Sequence, residues 1–257
     1  MGKYRLDELL VIKKLVDSRV KAQKLILDGK VLVEGKVLYK PAQKFDININ
    51  INVIQEEEFV SRGGYKLKAA LDEFSKIGLR VEDKVCLDIG ASTGGFTDCL
   101  LKHGAKLVIA LDNGKNQLHP KLLNNPNVIN IEEFNARNLE KLFENKILQE
   151  ILNKIEIITI DVSFISCTLI TQSISKIKFD KPIHIVILIK PNFELQKNEL
   201  KFLKKGVLKD NKKMFSVLLR TLRTIRKQGF KFIKVIKSPI KGDKGNVEFL
   251  VYYIKEV

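Results

Sequence analysis

The chain is poor in cysteine. Three are present in 257 residues, Cys86, Cys99 and Cys167, and no C-x-x-C pair occurs. An odd number without metal-ligand spacing excludes a disulfide framework and a zinc knuckle, and predicts buried thiols in a reducing compartment. No metal site is expected. Long apolar runs are also missing, since no segment approaches the roughly 18–20 apolar residues that a membrane span needs. The first residues, Met1-Gly2-Lys3-Tyr4-Arg5-Leu6-Asp7-Glu8, lack the apolar centre of a signal peptide. These absences predict a soluble, cytoplasmic chain. Internal repeats and low-complexity linkers are absent too. Acidic residues are scarce in one place, residues 196–244, which carry 16 Lys and Arg against 3 Asp and Glu.

What is present is a chain able to bury a core, with 45% hydrophobic and 30% charged residues. Its formal net charge is +16, while residues 1–58, with 11 basic and 9 acidic side chains, contribute only +2. Nucleic acid is the commonest partner for such a surplus, because each neutralised phosphate releases counterions. The bland alternative is a Lys-, Ile- and Asn-rich bias that keeps the chain soluble.

Residues 5–55 read as a small α+β unit ending near Glu56-Glu57-Glu58. Leu6, Leu9, Leu10 and Ile12–Leu15 have helical spacing. Asp17-Ser18 offers a cap for a second helix that points Val20, Ala22, Leu25 and Ile26 inward and Arg19, Lys21 and Lys24 outward, with Gly29 as its stop. Val31–Val33 and Val37-Leu38 are strands joined at Glu34-Gly35, a hairpin signal. Asp46–Val53 alternates as a half-buried strand does. From about residue 81, apolar strands at 85–87, 107–111, 128–131, 155–160 and 184–189 alternate with helices. This predicts a parallel sheet covered on both faces, with 230–236 and 248–254 as added edge strands.

The first of those strands runs into Asp88-Ile89-Gly90-Ala91-Ser92-Thr93-Gly94-Gly95-Phe96 and then a helix. Glycines there let backbone approach a ligand, and the helix start aims free N–H groups at it. The spacing is Asp-x-Gly-x-x-x-Gly, not the dinucleotide G-x-G-x-x-G, and an acid at the strand end suits a cofactor with a cationic amino group. Asp112 closes the second strand, where a carboxylate can hold ribose hydroxyls. The competing reading is an ordinary strand-to-helix turn. Four charged groups lie at other element ends: Lys66 after Arg62-Gly63-Gly64-Tyr65, Asp161, Lys190 and Glu248. Ligands of open parallel sheets bind beyond the strands' carboxyl ends, so Asp161 and Lys190 belong on the rim of the glycine loop. Unrelated surface ions are the alternative.

The pattern resembles the hemolysin A (TlyA) family of ribosomal RNA 2′-O-methyltransferases over nearly the whole chain. Arg5-Leu6-Asp7, Ser18-Arg19, Ala22, Ile26, Gly29, Val31, Gly35 and Lys40-Pro41 look like an S4 RNA-binding domain, with Glu34 where the family usually has asparagine. Val60–Leu67, Asp161–Ser166, Ile189–Glu194 and Gly245–Phe249 look like the family's later motifs. The second part is similar to RNA 2′-O-methyltransferases of the FtsJ type, whose Lys-Asp-Lys-Glu tetrad matches Lys66, Asp161, Lys190 and Glu248. Asn135-Ala136-Arg137 resembles the segment near the adenine, with Phe134 in place of a usual threonine.

The resemblance implies a Rossmann-like class I methyltransferase domain at 59–257 behind an S4-like domain at 1–58. It implies S-adenosylmethionine at Asp88, Gly90 to Phe96, Asp112, Asn135, Ala136 and Asp161, and transfer to a ribose hydroxyl, of cytidine by family. Lys190 would take the hydroxyl proton, Asp161 and Glu248 would orient the lysines, and Lys66 would stabilise charge on the substrate side. Ribosomal RNA or ribosomal subunits are the implied partners. Candidate RNA contacts are Arg5, Arg19, Lys21, Lys24, Lys30, Arg62, Arg223 and Arg226, the last two on a helix Met214–Lys227 that turns Phe215, Leu218, Leu219, Leu222 and Ile225 to the core. No DNA or membrane partner is expected, and no oligomeric state is legible. The alternatives are a non-catalytic RNA-binding or ribosome-assembly protein, and a membrane-active hemolysin.

Overall fold

The computed structural model describes residues 2–54, 58–145, 148–242 and 244–257. The chain divides into two compact units, Met1–Glu57 and Glu58–Val257. Glu56 and Glu57, expected at the junction, lie outside the described residues. Among the described residues no helix is long and apolar enough to cross a membrane.

In the first unit, helices Leu6–Ile12 and Arg19–Leu27 pack on strands Val31–Val33 and Ile51–Val53, and Lys36–Val37 pairs with Val31–Val33. Ser18 caps the second helix, its hydroxyl accepting from Lys21 N at 3.3 Å. Leu6, Leu9, Leu10, Ala22, Ile26 and Val31 are fully buried beneath it. The hairpin falls where expected, with φ of +48° at Glu34 and +76° at Gly35, the left-handed pair of a two-residue turn. Three expectations fail. The first helix stops at Ile12, and Ile12 and Leu15, expected in its apolar pattern, are exposed. Only Ile51–Val53 of the alternating Asp46–Val53 run is strand. Asp46 Oδ1 accepts from Asn48 N at 2.9 Å, so the side chain closes a local turn that competes with the sheet. Val20, expected inside, is 78% exposed.

The second unit is built on a seven-stranded sheet. We label its strands β1 (Val85–Ile89), β2 (Leu107–Leu111), β3 (Val128–Ile131), β4 (Ile155–Ile160), β5 (Ile183–Ile189), β6 (Phe230–Lys237) and β7 (Phe249–Lys255). Their order is β6-β7-β5-β4-β1-β2-β3. The chain of pairs from β5 through β4, β1 and β2 to β3 is parallel, whereas β7 runs antiparallel to both β5 and β6. The principal helices are α1 (Gly63–Phe74), α2 (Gly95–Lys102), α3 (Cys167–Ser175) and α4 (Asn211–Lys227).

Alternate strand residues face opposite helical layers. Cys86, Val108, Ile157, Val186 and Tyr252 pack with α1 and α2, while Leu87, Ile109, Ile158, Ile187 and Tyr253 pack with α3 and α4. Cys86, Cys99 and Cys167 are free, buried thiols. Helix α4 differs from expectation. Met214, Val217, Leu218, Thr221 and Ile225 are buried, but Phe215 and Leu219 are 51% and 50% exposed. The inward stripe of one helix takes positions i, i+3, i+4, i+7 and i+11, and Phe215 and Leu219 fall beside it.

The topology fixes which residues share a rim. The carboxyl ends of β1, β2, β4 and β5 lead into Gly90, Asp112, Asp161 and Lys190. Because β7 is reversed, its start lies at that same end: Phe249 pairs with Ile189, which sets Glu248 beside Lys190.

Candidate active site

Gly90 has φ of +84°, and a Cβ there would sit 2.4 Å from the Asp161 carbonyl oxygen. The loop therefore needs glycine to cross β4 this closely. Gly90 N and Ala91 N donate to Leu111 O at 2.8 and 3.1 Å, and Asp161 N donates to Ile89 O at 2.9 Å. Asp112 is tied to the same loop, accepting from Ser92 N at 2.8 Å and from Gly114 N at 2.7 Å.

Two cavities open on this rim. One of about 510 Å³ is lined by Ser92, Asp112, Asn135, Ala136 and Asp161, with apolar walls from Leu111, Phe134, Ile165 and Ile170. The other, of about 260 Å³, is lined by Arg62, Lys66, Ala91, Thr93, Gly95, Phe96 and Lys190. Gly90, Ser92, Asp161 and Ser163 line both, so the two meet there.

The four charged groups form two ion pairs. Lys66 Nζ lies 2.6 Å from Glu248 Oε2, both side chains being almost fully buried. Lys190 Nζ lies 2.6 Å from Asp161 Oδ1 and donates to Ser163 Oγ at 2.9 Å. Asp161 Oδ1 is buried and, ion pair apart, accepts no hydrogen bond among the described residues. Lys66, Asp161 and Lys190 line the smaller cavity, and Glu248 stands behind Lys66.

Not every expected residue reaches a cavity. Asp88 is fully buried beneath the loop, accepting from Thr97 Oγ1 at 2.7 Å and Thr159 Oγ1 at 2.8 Å. It lines neither cavity, and burial raises its pKa to about 6. Its expected contact with a cofactor amino group gives way to a buried structural position. Gly94 also lines neither: its α-carbon faces Leu122 and Leu118, whose methyls would meet a Cβ at 2.2 and 2.8 Å.

Among the candidate RNA contacts, Arg5 and Arg19 both grip Asp7, which is fully buried and also accepts from Gln23 Nε2 at 2.8 Å. These cations hold its carboxyl well below the usual range. Lys21 pairs with Asp17 at 3.5 Å, Lys24 is exposed, and Lys30 is partly buried. Arg223 and Arg226 are exposed on the last turns of α4. Arg226 borders a hollow with Phe230, Lys231 and Glu256, at the sheet end opposite the rim, so the structure does not bring this pair to the cavities.

Sequence reasoning missed other lining residues, including Asn113, Gly114, Gln117, Ser163 and Phe164. Phe164 is 88% exposed with φ of +63°, and its ring centre lies 5.1 Å from that of Phe193. An apolar residue held outward in a left-handed conformation leaves no periodic trace; its only signal was membership of the segment Asp161–Ser166. Glu194 was likewise quoted without a role. Its carboxylate accepts from Cys167 N at 2.8 Å and from Ser166 Oγ, fastening the segment after β4 to that after β5, and burial pushes its pKa up.

A Rossmann-like sheet with a reversed seventh strand, a glycine loop and a strand-end acid define a class I methyltransferase. The chain belongs to the FtsJ-like methyltransferase family, whose model matches residues 59–255, and an S4 domain model matches residues 5–48. Enzymes of this family take their methyl group from S-adenosylmethionine. The chain is 45% identical to hemolysin A of Brachyspira hyodysenteriae, over 97% of this chain and 99% of that protein. It is 36% identical to the 23S rRNA (cytidine-2′-O)-methyltransferase TlyA of Campylobacter jejuni, over 96% and 98% of the two chains. A solved structure described as a hemolysin, from Streptococcus thermophilus, superposes with a TM-score of 0.68 at 35% identity, covering 100% of this chain and 90% of that one.

Proposed function

We propose that the chain methylates a ribose 2′-hydroxyl in ribosomal RNA, at a cytidine by likeness to the Campylobacter jejuni relative. Residues 59–257 carry the chemistry and residues 1–58 dock on RNA of the ribosomal subunit, in the cytoplasm. One observation carries the reading: an acid-lined cavity with apolar walls and a lysine-lined cavity meet at Asp161.

The larger cavity fits S-adenosylmethionine. Its volume of about 510 Å³ is in the range for small-molecule sites. Gly90, Ser92, Asp112 and Asp161 line it, and Asp161 Oδ1, buried at its edge, accepts no hydrogen bond beyond its ion pair among the described residues. When bound, S-adenosylmethionine supplies an electrophilic methyl group on a sulfonium sulfur. Asp112 offers lone pairs for ribose hydroxyls, Phe134, Ile165 and Ile170 an apolar bed for a base, and Asp161 a counter-charge for cationic groups.

The smaller cavity receives the nucleotide. Arg62 attracts its phosphates, and Lys66 and Lys190 hold its 2′-oxygen toward Asp161. A hydroxyl is a weak nucleophile near neutral pH and needs a base. Lys190, in its neutral form, would take the proton from the 2′-oxygen, leaving that oxygen nucleophilic toward the methyl group. Asp161 and Ser163 fix the position of Lys190 Nζ, and Glu248 fixes Lys66. In the Lys190→Ala variant methyl transfer should fall by at least about 10²-fold, the usual worth of a positioned base. Calorimetric affinity for S-adenosylmethionine should persist. Near-normal turnover would overturn the assignment, and no S-adenosylmethionine binding by the unaltered chain would favour a non-catalytic RNA-binding role.

A further inference from the structure

Residues 196–244 carry both paired and unpaired basic side chains, and one group of the unpaired ones is clustered. Lys213 and Arg220 are tied to Glu199, Lys231 to Glu256 and Lys234 to Glu73. Lys204, Lys205, Lys209, Lys241 and Lys244 are exposed and make no ion pair among the described residues. All five sit on two segments at the active-site rim. One is the hairpin formed by Leu203–Lys204 and Val207–Leu208 with Lys209 directly after it, and the other is the connection from β6 to β7.

A buried side chain holds the two segments together. Asn246 is 6% exposed. Its Oδ1 accepts from Leu208 N at 2.9 Å, and its Nδ2 donates to Gly206 O at 2.9 Å. Its carbonyl accepts from Gly242 N at 2.9 Å, and a Cβ at Gly242 would meet Glu248 Oε1 at 2.4 Å. The hairpin is thus keyed to the segment that delivers Glu248 to Lys66. At its tip Lys205 has φ of +50° and Gly206 +80°. A lysine in the first left-handed position, where asparagine or glycine is easier, costs stability and leaves a charge projecting from the turn. Lys244 extends over the same turn, its Nζ 3.2 Å from where a Gly206 Cβ would be.

We propose that this hairpin, with Lys241 and Lys244 on the connection from β6 to β7, forms a contact for the sugar-phosphate backbone of the RNA, held at the catalytic rim by Asn246. This rests on the RNA-methylating reading above. Phosphates fit better than a protein partner would. Protein interfaces centre on buried apolar or aromatic anchors, and no large hydrophobic side chain is exposed on either segment. Lysines serve phosphate as mobile point charges and need no rigid geometry. The surface adjoins the Lys66–Glu248 pair, so backbone bound there is strung past the smaller cavity.

The test uses the full chain, a transcript of 23S rRNA, and the double variant Lys205→Glu/Lys244→Glu. The control is Lys141→Glu/Lys178→Glu, which changes net charge equally on exposed lysines elsewhere in the unit. Binding is read by fluorescence anisotropy over a salt series, and methyl transfer by radiolabelled donor. The rim variant should lose at least tenfold in affinity relative to the control. Its slope of log K against log salt should shrink by about 1.5, from roughly 0.7 per lost phosphate contact. Equal weakening in rim and control variants, or none, overturns the surface, as does failure of the unaltered chain to bind RNA. Failure of the unaltered chain to methylate RNA that it binds overturns the enzymatic reading and leaves the surface to stand on affinity.

Discussion

Asp88 and Asp7 show how one residue type is put to opposite electrostatic uses. Asp7 meets two arginines and a glutamine, so its carboxylate is stabilised in the folded unit. That contribution is present above the unfolded pKa and is lost as pH falls. Asp88 is fully buried and meets neutral donors of Thr97 and Thr159 in place of cations, so burial raises its pKa from 3.8 to about 6. The folded state then keeps a proton that the unfolded state has lost. Stability falls as pH rises from about 4 to about 6 and stays lowered above that. The Asp88→Asn variant should therefore lose less stability than the parent between pH 4.5 and pH 7, by about 2 kcal/mol from the linkage relation. Urea unfolding at the two pH values measures this, and an identical pH dependence in both proteins would refute it. Both oxygens of Asp88 are committed to threonines, 9 and 71 residues away.

Among the elements, α4 carries the most tension between sequence pattern and position. Its outward side bears Arg220, which looks like a solvated charge. The guanidinium instead grips Glu199 with two bonds of 2.7 Å and donates to Glu194 O at 2.8 Å. It fastens the turn Lys197–Phe202 and the segment after Lys190 to the helix. The cations hold the Glu199 carboxyl well below the usual range. Arg220→Ala should destabilise the second unit by about 2 kcal/mol, as expected for charge-assisted bonds to a buried carboxylate. Thermal unfolding checks the magnitude, and a change within about 0.5 kcal/mol would place Arg220 with ordinary surface residues. The fall of Phe215 and Leu219 outside the core belongs to the same scale. The count of apolar residues predicted a wide inward face, but the sheet accepts one stripe, and Thr221 occupies a place in it.

At the scale of the molecule, charge and fold are decoupled. The chain has a net charge of +16, yet residues 1–58 contribute little of it. On the rim, Lys66 and Lys190 are neutralised pairwise, while lysines of 196–244 remain unpaired beside them. RNA affinity of the whole chain should accordingly be steeply salt-dependent. A slope of log K against log salt of about −3 or steeper is expected if four or more phosphates are neutralised. Titrations from about 50 to 200 mM potassium chloride would show it, and a flat response would mean that recognition avoids the backbone.

The sequence by itself determined the strands of the large sheet, the glycine loop and the four charged residues at element ends. Each is a local property: an apolar run, a turn requiring positive φ, an ionisable group where a run stops. It also determined the family, because each motif is a short contiguous segment. The tertiary structure decided what those residues face. Reversal of β7 brings Glu248, 182 residues distant, to Lys66. Packing of β1 against its neighbours took Asp88 out of the cavity and left Asp112 and Asp161 in it. Helix geometry sent Arg226 to the far end of the sheet, while Asn246 drew a lysine hairpin to the rim. Such outcomes depend on burial and on pairing between distant segments, neither of which leaves a periodic signal in the chain.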